Sequence, residues 1–267
     1  MIHQMKKINN LGDFKNIKIY FFAVLIIFRI ILSNRLPCYL LPEMPHDDGW
    51  MLARAQSILK GEWLGSYDHF TLIKGMFSPI LLALSSSIGL TFSGLNTVIY
   101  CLACIVFVKA IRPIIKNNVL QILCLGILLF NPISYALETG QRAYRCGIGQ
   151  WEIIIIFAGI IAIFLRRNDN WISFLKWAIM SGTTLGAFLL TREDGVWIYP
   201  FVVTAVCLIS ILIIRANNNY KKKIAAVLLI LAMPILCRAV SVPLCCICLI
   251  CFAPKLASKL ARFAGGV

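Results

Sequence analysis

Three polar clusters in this chain hold residues whose types and spacing could do chemistry. The first is His46-Asp47-Asp48-Gly49-Trp50, two adjacent carboxylates in a sequence with only 11 Asp plus Glu. An ionised carboxylate can take a proton from an acceptor hydroxyl. Two side by side can also hold a hard divalent cation, Mg or Mn, through oxygen. The competing reading is local. Met51–Lys60 has the apolar spacing of a helix, so either Asp could cap its free amides or sit in a solvated loop.

The second cluster runs Glu138-Thr139-Gly140-Gln141-Arg142-Ala143-Tyr144-Arg145-Cys146-Gly147. Arg142 and Arg145 are three apart, so on a helical turn they share a face. Arginine forks suit bidentate phosphate contacts, and Tyr144 between them suits a sugar ring or a headgroup. Headgroup anchoring, or pairing of an arginine with Glu138, explains the same residues without a substrate. The third cluster is Thr191-Arg192-Glu193-Asp194-Gly195, squeezed between two apolar runs. Arg192 could be a second phosphate ligand, with Glu193 or Asp194 orienting it. The bland alternative is a hydrated hairpin turning at Gly195. Lys74-Gly75 leads into the apolar entry Met76–Pro79.

The elements that must position these clusters are membrane helices. Of 267 residues, 60% are hydrophobic and 14% charged, and the mean hydropathy is +0.84. A soluble domain is nearer one quarter charged, so the fold class is an all-α integral membrane protein, a polytopic helical bundle. The formal charge of +15 is spread as short Lys/Arg runs between apolar segments, as in cytoplasmic loops and headgroup contacts. No basic arm interleaved with aromatics occurs, which argues against nucleic acid as a partner. The 11 cysteines include Cys101 and Cys104 at redox-motif spacing, but Cys101, Cys104, Cys124 and Cys207 lie in apolar runs, where a thiol acts as a small hydrophobe.

A crossing needs about 17–25 apolar residues. Candidates are Ile17–Ser33, part of Met76–Val108, Val119–Ala136, Trp151–Leu165, Trp171–Leu190, Val196–Ile214 and Ile224–Phe252, about seven spans in all. The chain divides into a cytoplasmic segment 1–16, a transmembrane domain 17–252 with a long first outer loop 34–75, and an atypical tail 253–267. Met1–Lys18 is basic and no small-residue cleavage site follows, so the first span reads as a retained anchor. With the N-terminus inside and one net crossing in Met76–Val108 (near Thr91–Val108, with Phe77–Leu90 interfacial), Lys109, Arg112, Lys116, Arg166, Arg167, Arg215 and Lys221–Lys223 all fall in cytoplasmic loops. The three polar clusters then share the outer face. Trp63, Tyr67 and Phe70 bring the first loop against the bilayer. The Cys-rich run Leu236–Cys251, followed by Lys255, Lys259 and Arg262, breaks this charge pattern.

In order, the N-terminal anchor, Asp47-Asp48, the helix after it, Lys74-Gly75 with Ser78-Pro79, Arg142-Ala143-Tyr144-Arg145 and Thr191-Arg192-Glu193-Asp194-Gly195 resemble membrane glycosyltransferases of the GT-C fold. The nearest group is the bacterial relatives of protein mannosyltransferases, and the likeness covers about Ile17 to Arg215. It implies sugar transfer from a polyprenyl-phosphate-linked donor to a glycan, lipid or protein acceptor on the outer face of a bacterial inner membrane. It also implies Asp47 or Asp48 as catalytic base. More weakly, it implies Lys74, Arg142, Arg145 and Arg192 as phosphate-holding residues; some members use a divalent metal and others do not. Members are usually much longer, with more spans, so a truncated or catalytically incomplete copy is an expectation beside the active enzyme. The runner-up is a non-catalytic transporter or lipid-handling protein, which would place ionisable residues deep in the spans. Few are evident: Arg29, Lys176 and Arg238.

Overall fold

The computed structural model describes residues 2–39, 41, 45–62, 65, 74–216 and 220–237. The aromatic residues Trp63, Tyr67 and Phe70, the end of the last expected span and the tail 253–267 lie outside them. The elements are helices: α1 (Ile2–Arg35), α2 (Trp50–Leu59), α3 (Phe77–Ile88), α4 (Phe92–Ile111), α5 (Asn118–Leu129), α6 (Arg145–Leu165), α7 (Trp171–Thr191), α8 (Tyr199–Ala216) and α9 (220–237).

Four segments are long and apolar enough to cross a membrane, namely α4, α6, α7 and Gly195–Arg215. The protein is therefore integral to a membrane. Large apolar side chains point outward all along the bundle, among them Phe21, Leu102, Ile127, Phe201 and Ile211. Water would penalise such a surface, whereas lipid tails match it.

α6 is the central helix. One of its faces carries Ile156, Ile160 and Ile163 into a core with Phe174, Leu185 and Phe188 of α7 and with residues of α8 and α9. Its other face puts Ile148 and Trp151 into a second core with Tyr100, Cys101 and Cys104 of α4 and Leu125 and Leu129 of α5. The α6–α7 seam is close because it is built from small residues: a Cβ on Gly159 would lie 2.5 Å from the Ser181 Cβ. Ser181 in turn donates its hydroxyl to the Ile156 carbonyl at 2.9 Å. This is the usual way that membrane helices gain contact without a hydrophobic drive between them.

Met76–Val108 does split in two. Gly89 adopts a left-handed conformation (φ 77°) to end α3, and Thr91 caps α4 by accepting from the Gly94 amide at 3.1 Å. Val119–Ala136 is not one helix, as expected from its apolarity. α5 stops at Leu129, because Asn131 caps a separate 3-10 turn, Pro132–Tyr135, accepting from the Ile133 amide at 3.1 Å, and Pro132 has no N–H to continue the ladder. α6 begins six residues earlier than the apolar run Trp151–Leu165 suggests.

The two ends of the bundle differ in charge chemistry. At one end, Arg166 donates to the carbonyls of Lys109 and Ala110 at the C-terminus of α4, and Lys223 donates to the Arg167 carbonyl. The other end gathers the C-terminus of α1, α2, the N-termini of α3, α4 and α6, and the C-terminus of α7. The candidate residues lie there.

Candidate functional site

The first loop is fastened to the α5–α6 connection by its backbone. Tyr39 donates its amide to the Gln141 carbonyl at 3.0 Å, and Ala143 donates back to the Tyr39 carbonyl at 3.2 Å. This short parallel bridge, Tyr39 with Arg142, brings residues about a hundred positions apart to one place. Pro45–Gly49 then makes a single wide helical turn leading into α2.

Within that turn the acidic pair separates. Asp48 is 1% exposed and accepts from Arg142 through Nε at 3.0 and 3.1 Å and through Nη2 at 2.6 Å. The Leu41 amide donates to its other face at 2.7 Å. Arg142 spends its remaining reach on Glu138 at 2.7 Å. The Asp48 contact, above all, holds its charge firmly on. Asp47 faces the opposite way. Its carboxylate meets the Lys74 ammonium, and its side chain is 31% exposed. Partial burial works against its ionisation, but the Lys74 ammonium outweighs it, helped by Arg145 and the Tyr144 hydroxyl. The carboxyl is held below the ordinary range.

Lys74 reaches Asp47 because Gly75 passes against α7. A Cβ on Gly75 would lie 1.9 Å from the Leu190 carbonyl oxygen, so only glycine admits this approach. The result is a cleft lined by Asp47, Trp50, Lys74, Ser78, Tyr144, Arg145 and Thr191, among others. It has about 20 Å³ of room, enough for a water-sized group. Two lining donors, Trp50 Nε1 and Ser78 Oγ, are buried without a hydrogen-bond partner among the described residues. Unpartnered buried donors beside two cations make a surface that favours an oxygen-rich, anionic group.

Arg142 and Arg145 do not share a helical turn as their spacing suggests. Arg142 and Tyr144 are extended, with ψ 132° and 164°, and α6 starts only at Arg145. Both guanidiniums nevertheless lie over the Tyr144 ring, at 4.1 and 4.9 Å from its centroid. Burial pushes the Tyr144 phenol up to about 12. Arg145 continues to Glu193, with which it forms an ion pair. Arg192 is instead taken by Asp194, through Nε at 2.9 Å and Nη2 at 2.8 Å, and does not line the cleft. Glu193 and Asp194 thus orient two different arginines.

One buried acid was missed from the sequence. Glu152 is 0% exposed, about two turns into α6. Thr191 Oγ1 donates to its Oε1 at 2.8 Å, and Oε2 has no partner among the described residues. Because Thr191 also lines the cleft, Glu152 sits directly behind it. A lone acid inside an apolar run was the available signal.

Among the described residues no group of three or more His, Cys, Asp and Glu is arranged to hold a metal ion. The acidic pair, divergent and each member against its own cation, does not fit a divalent metal. No family model matches the chain, and no curated protein or solved structure matches it.

Proposed function

We propose that this chain is a membrane glycosyltransferase of the GT-C type. It would move a sugar from a polyprenyl-phosphate donor to an acceptor hydroxyl at the outer face of a bacterial inner membrane, with about seven crossings and a cytoplasmic N-terminus. The observation that carries this reading is one cleft holding a lone ionised carboxylate, Asp47, beside Lys74, Arg145 and the unpartnered donors of Trp50 and Ser78. Sugar transfer needs that combination: a base for the hydroxyl and cations for the phosphate.

In this scheme the acceptor oxygen bonds to the anomeric carbon as its proton passes to Asp47. The bond from that carbon to the phosphate oxygen breaks, and the electron pair leaves with the polyprenyl phosphate. Lys74 and Arg145 offset the charge that develops there. Asp48, locked by Arg142, positions the turn that carries Asp47. Arg192 with Asp194, and Arg145 with Glu193, shape the rim.

One observation favours the runner-up, a lipid-handling protein without catalysis. Asp47 is neutralised by Lys74, as it would be if the cations served binding alone. The test is transfer from a polyprenyl-phosphate hexose in proteoliposomes holding wild-type, Asp47→Asn or Asp48→Asn protein. The enzyme reading expects turnover in the wild type and its loss in Asp47→Asn with donor binding kept. Donor binding without turnover in wild-type protein supports the runner-up, and unchanged turnover in Asp47→Asn ends the base assignment.

A further inference from the structure

A second anion site lies away from the Asp47 cleft, at the junction of α1, α4 and the turn before α6. Its centre is Arg29, near the C-terminal end of α1 and 3% exposed. Nη2 donates to the Ser134 carbonyl at 3.2 Å, and the guanidinium stacks on the Tyr135 ring at 3.7 Å and near Tyr100 at 5.3 Å. Nε and Nη1 have no hydrogen-bond partner among the described residues. Arg29 itself lines a small polar recess with Ser33, Ser93, Asn96, Thr97 and Gln150, and no acidic residue lines it. Arginine cannot shed its proton, so a buried guanidinium with empty donors and no counter-charge calls for an anion from outside the chain.

What surrounds the recess says which anion. Ser33, Leu36 and Ser93 also line a groove of about 560 Å³. The groove runs between the end of α1 and the start of α4, where Ile30, Leu90 and Val98 make it apolar. Leu90 and Val98 are exposed on the outside of the bundle. The recess itself has about 10 Å³ of room, space for one oxygen rather than a whole ion.

We propose that this groove binds an anionic lipid, its chain along Ile30, Leu90 and Val98 and one phosphate oxygen seated on the Arg29 guanidinium. No residue lines both this site and the Asp47 cleft, so the site stands whether or not the chain transfers sugar.

The test is native mass spectrometry of the full chain in mild detergent. The probes are phosphatidylglycerol, diacylglycerol (which lacks the phosphate) and millimolar inorganic phosphate, and the proteins are wild type, Arg29→Gln and Val98→Trp. Wild-type protein should retain phosphatidylglycerol at least about tenfold over diacylglycerol, the factor expected of a charge-assisted hydrogen bond. Arg29→Gln should bring that ratio close to one. Val98→Trp, which fills the groove and leaves the guanidinium untouched, should remove the adduct, and inorganic phosphate should not displace it. An unchanged ratio in Arg29→Gln, an unchanged adduct in Val98→Trp, or displacement by phosphate alone would each overturn the proposal. If Arg29→Gln yields no folded protein, the Val98→Trp and phosphate arms still decide.

Discussion

Arg142 holds Asp48 through Nε and Nη2, at distances from 2.6 to 3.1 Å, with side chains 4% and 1% exposed. The pair joins the first loop to the start of α6 across 94 positions of chain. Its neighbour Asp47 instead makes a half-open contact with Lys74 at the cleft. Two adjacent carboxylates therefore have separable tasks.

Arg142→Ala should destabilise the protein by about 3–5 kcal/mol, because it strands a buried carboxylate. Asp47→Asn, at a partly exposed and solvent-screened pair, should cost less than about 1 kcal/mol. Thermal unfolding of both variants in detergent checks this, and equal losses would contradict the division of roles.

Gly75→Ala places a methyl 1.9 Å from the Leu190 carbonyl oxygen, and backbone on both sides must move. A loss of at least about 1–3 kcal/mol is expected, together with displacement of Lys74 from Asp47. A cysteine at position 74 reports the displacement: its rate of labelling by a water-soluble maleimide should rise when Gly75→Ala is added.

Tyr144 supplies the pH prediction. Its phenol ionises near 10 when unfolded and at about 12 in the folded protein. The group favours folding fully below pH 10, and its contribution falls as pH rises from 10 towards 12. The ultraviolet phenolate titration of wild type minus Tyr144→Phe should have its midpoint near 12. A midpoint near 10 would mean that the ring is not buried between the arginines.

Thr191→Val removes the hydroxyl that donates to Glu152 while nearly preserving shape. Leaving that buried carboxyl group without the hydroxyl should cost about 1–3 kcal/mol. Adding Glu152→Leu should recover part of the loss, since both polar partners are then gone. The thermal midpoints of the two single variants and the double variant give the coupling.

Much was legible from the chain alone. Sixty per cent hydrophobic residues in helix-length runs require a membrane bundle, because backbone polar groups in lipid must be satisfied within the helix. The break at Gly89–Thr91 also follows from local residues, a left-handed glycine and a capping threonine. Local spacing failed where backbone pairing from far away intervened. Arg142 and Arg145 look like one helical face, but the Tyr39 bridge extends the chain through Arg142 and delays α6 to Arg145.

Sequence by itself determined the lipid environment, the all-helical class and a short list of charged residues, since hydropathy and capping are properties of neighbouring residues. Tertiary structure alone decided which charge meets which: Asp47 with Lys74, Asp48 with Arg142, Arg145 with Glu193, Arg192 with Asp194, and Glu152 and Arg29 buried with donors or acceptors to spare. Coulomb attraction and hydrogen bonding act at contact distance, and contact between residues far apart in the chain exists only after the helices have packed.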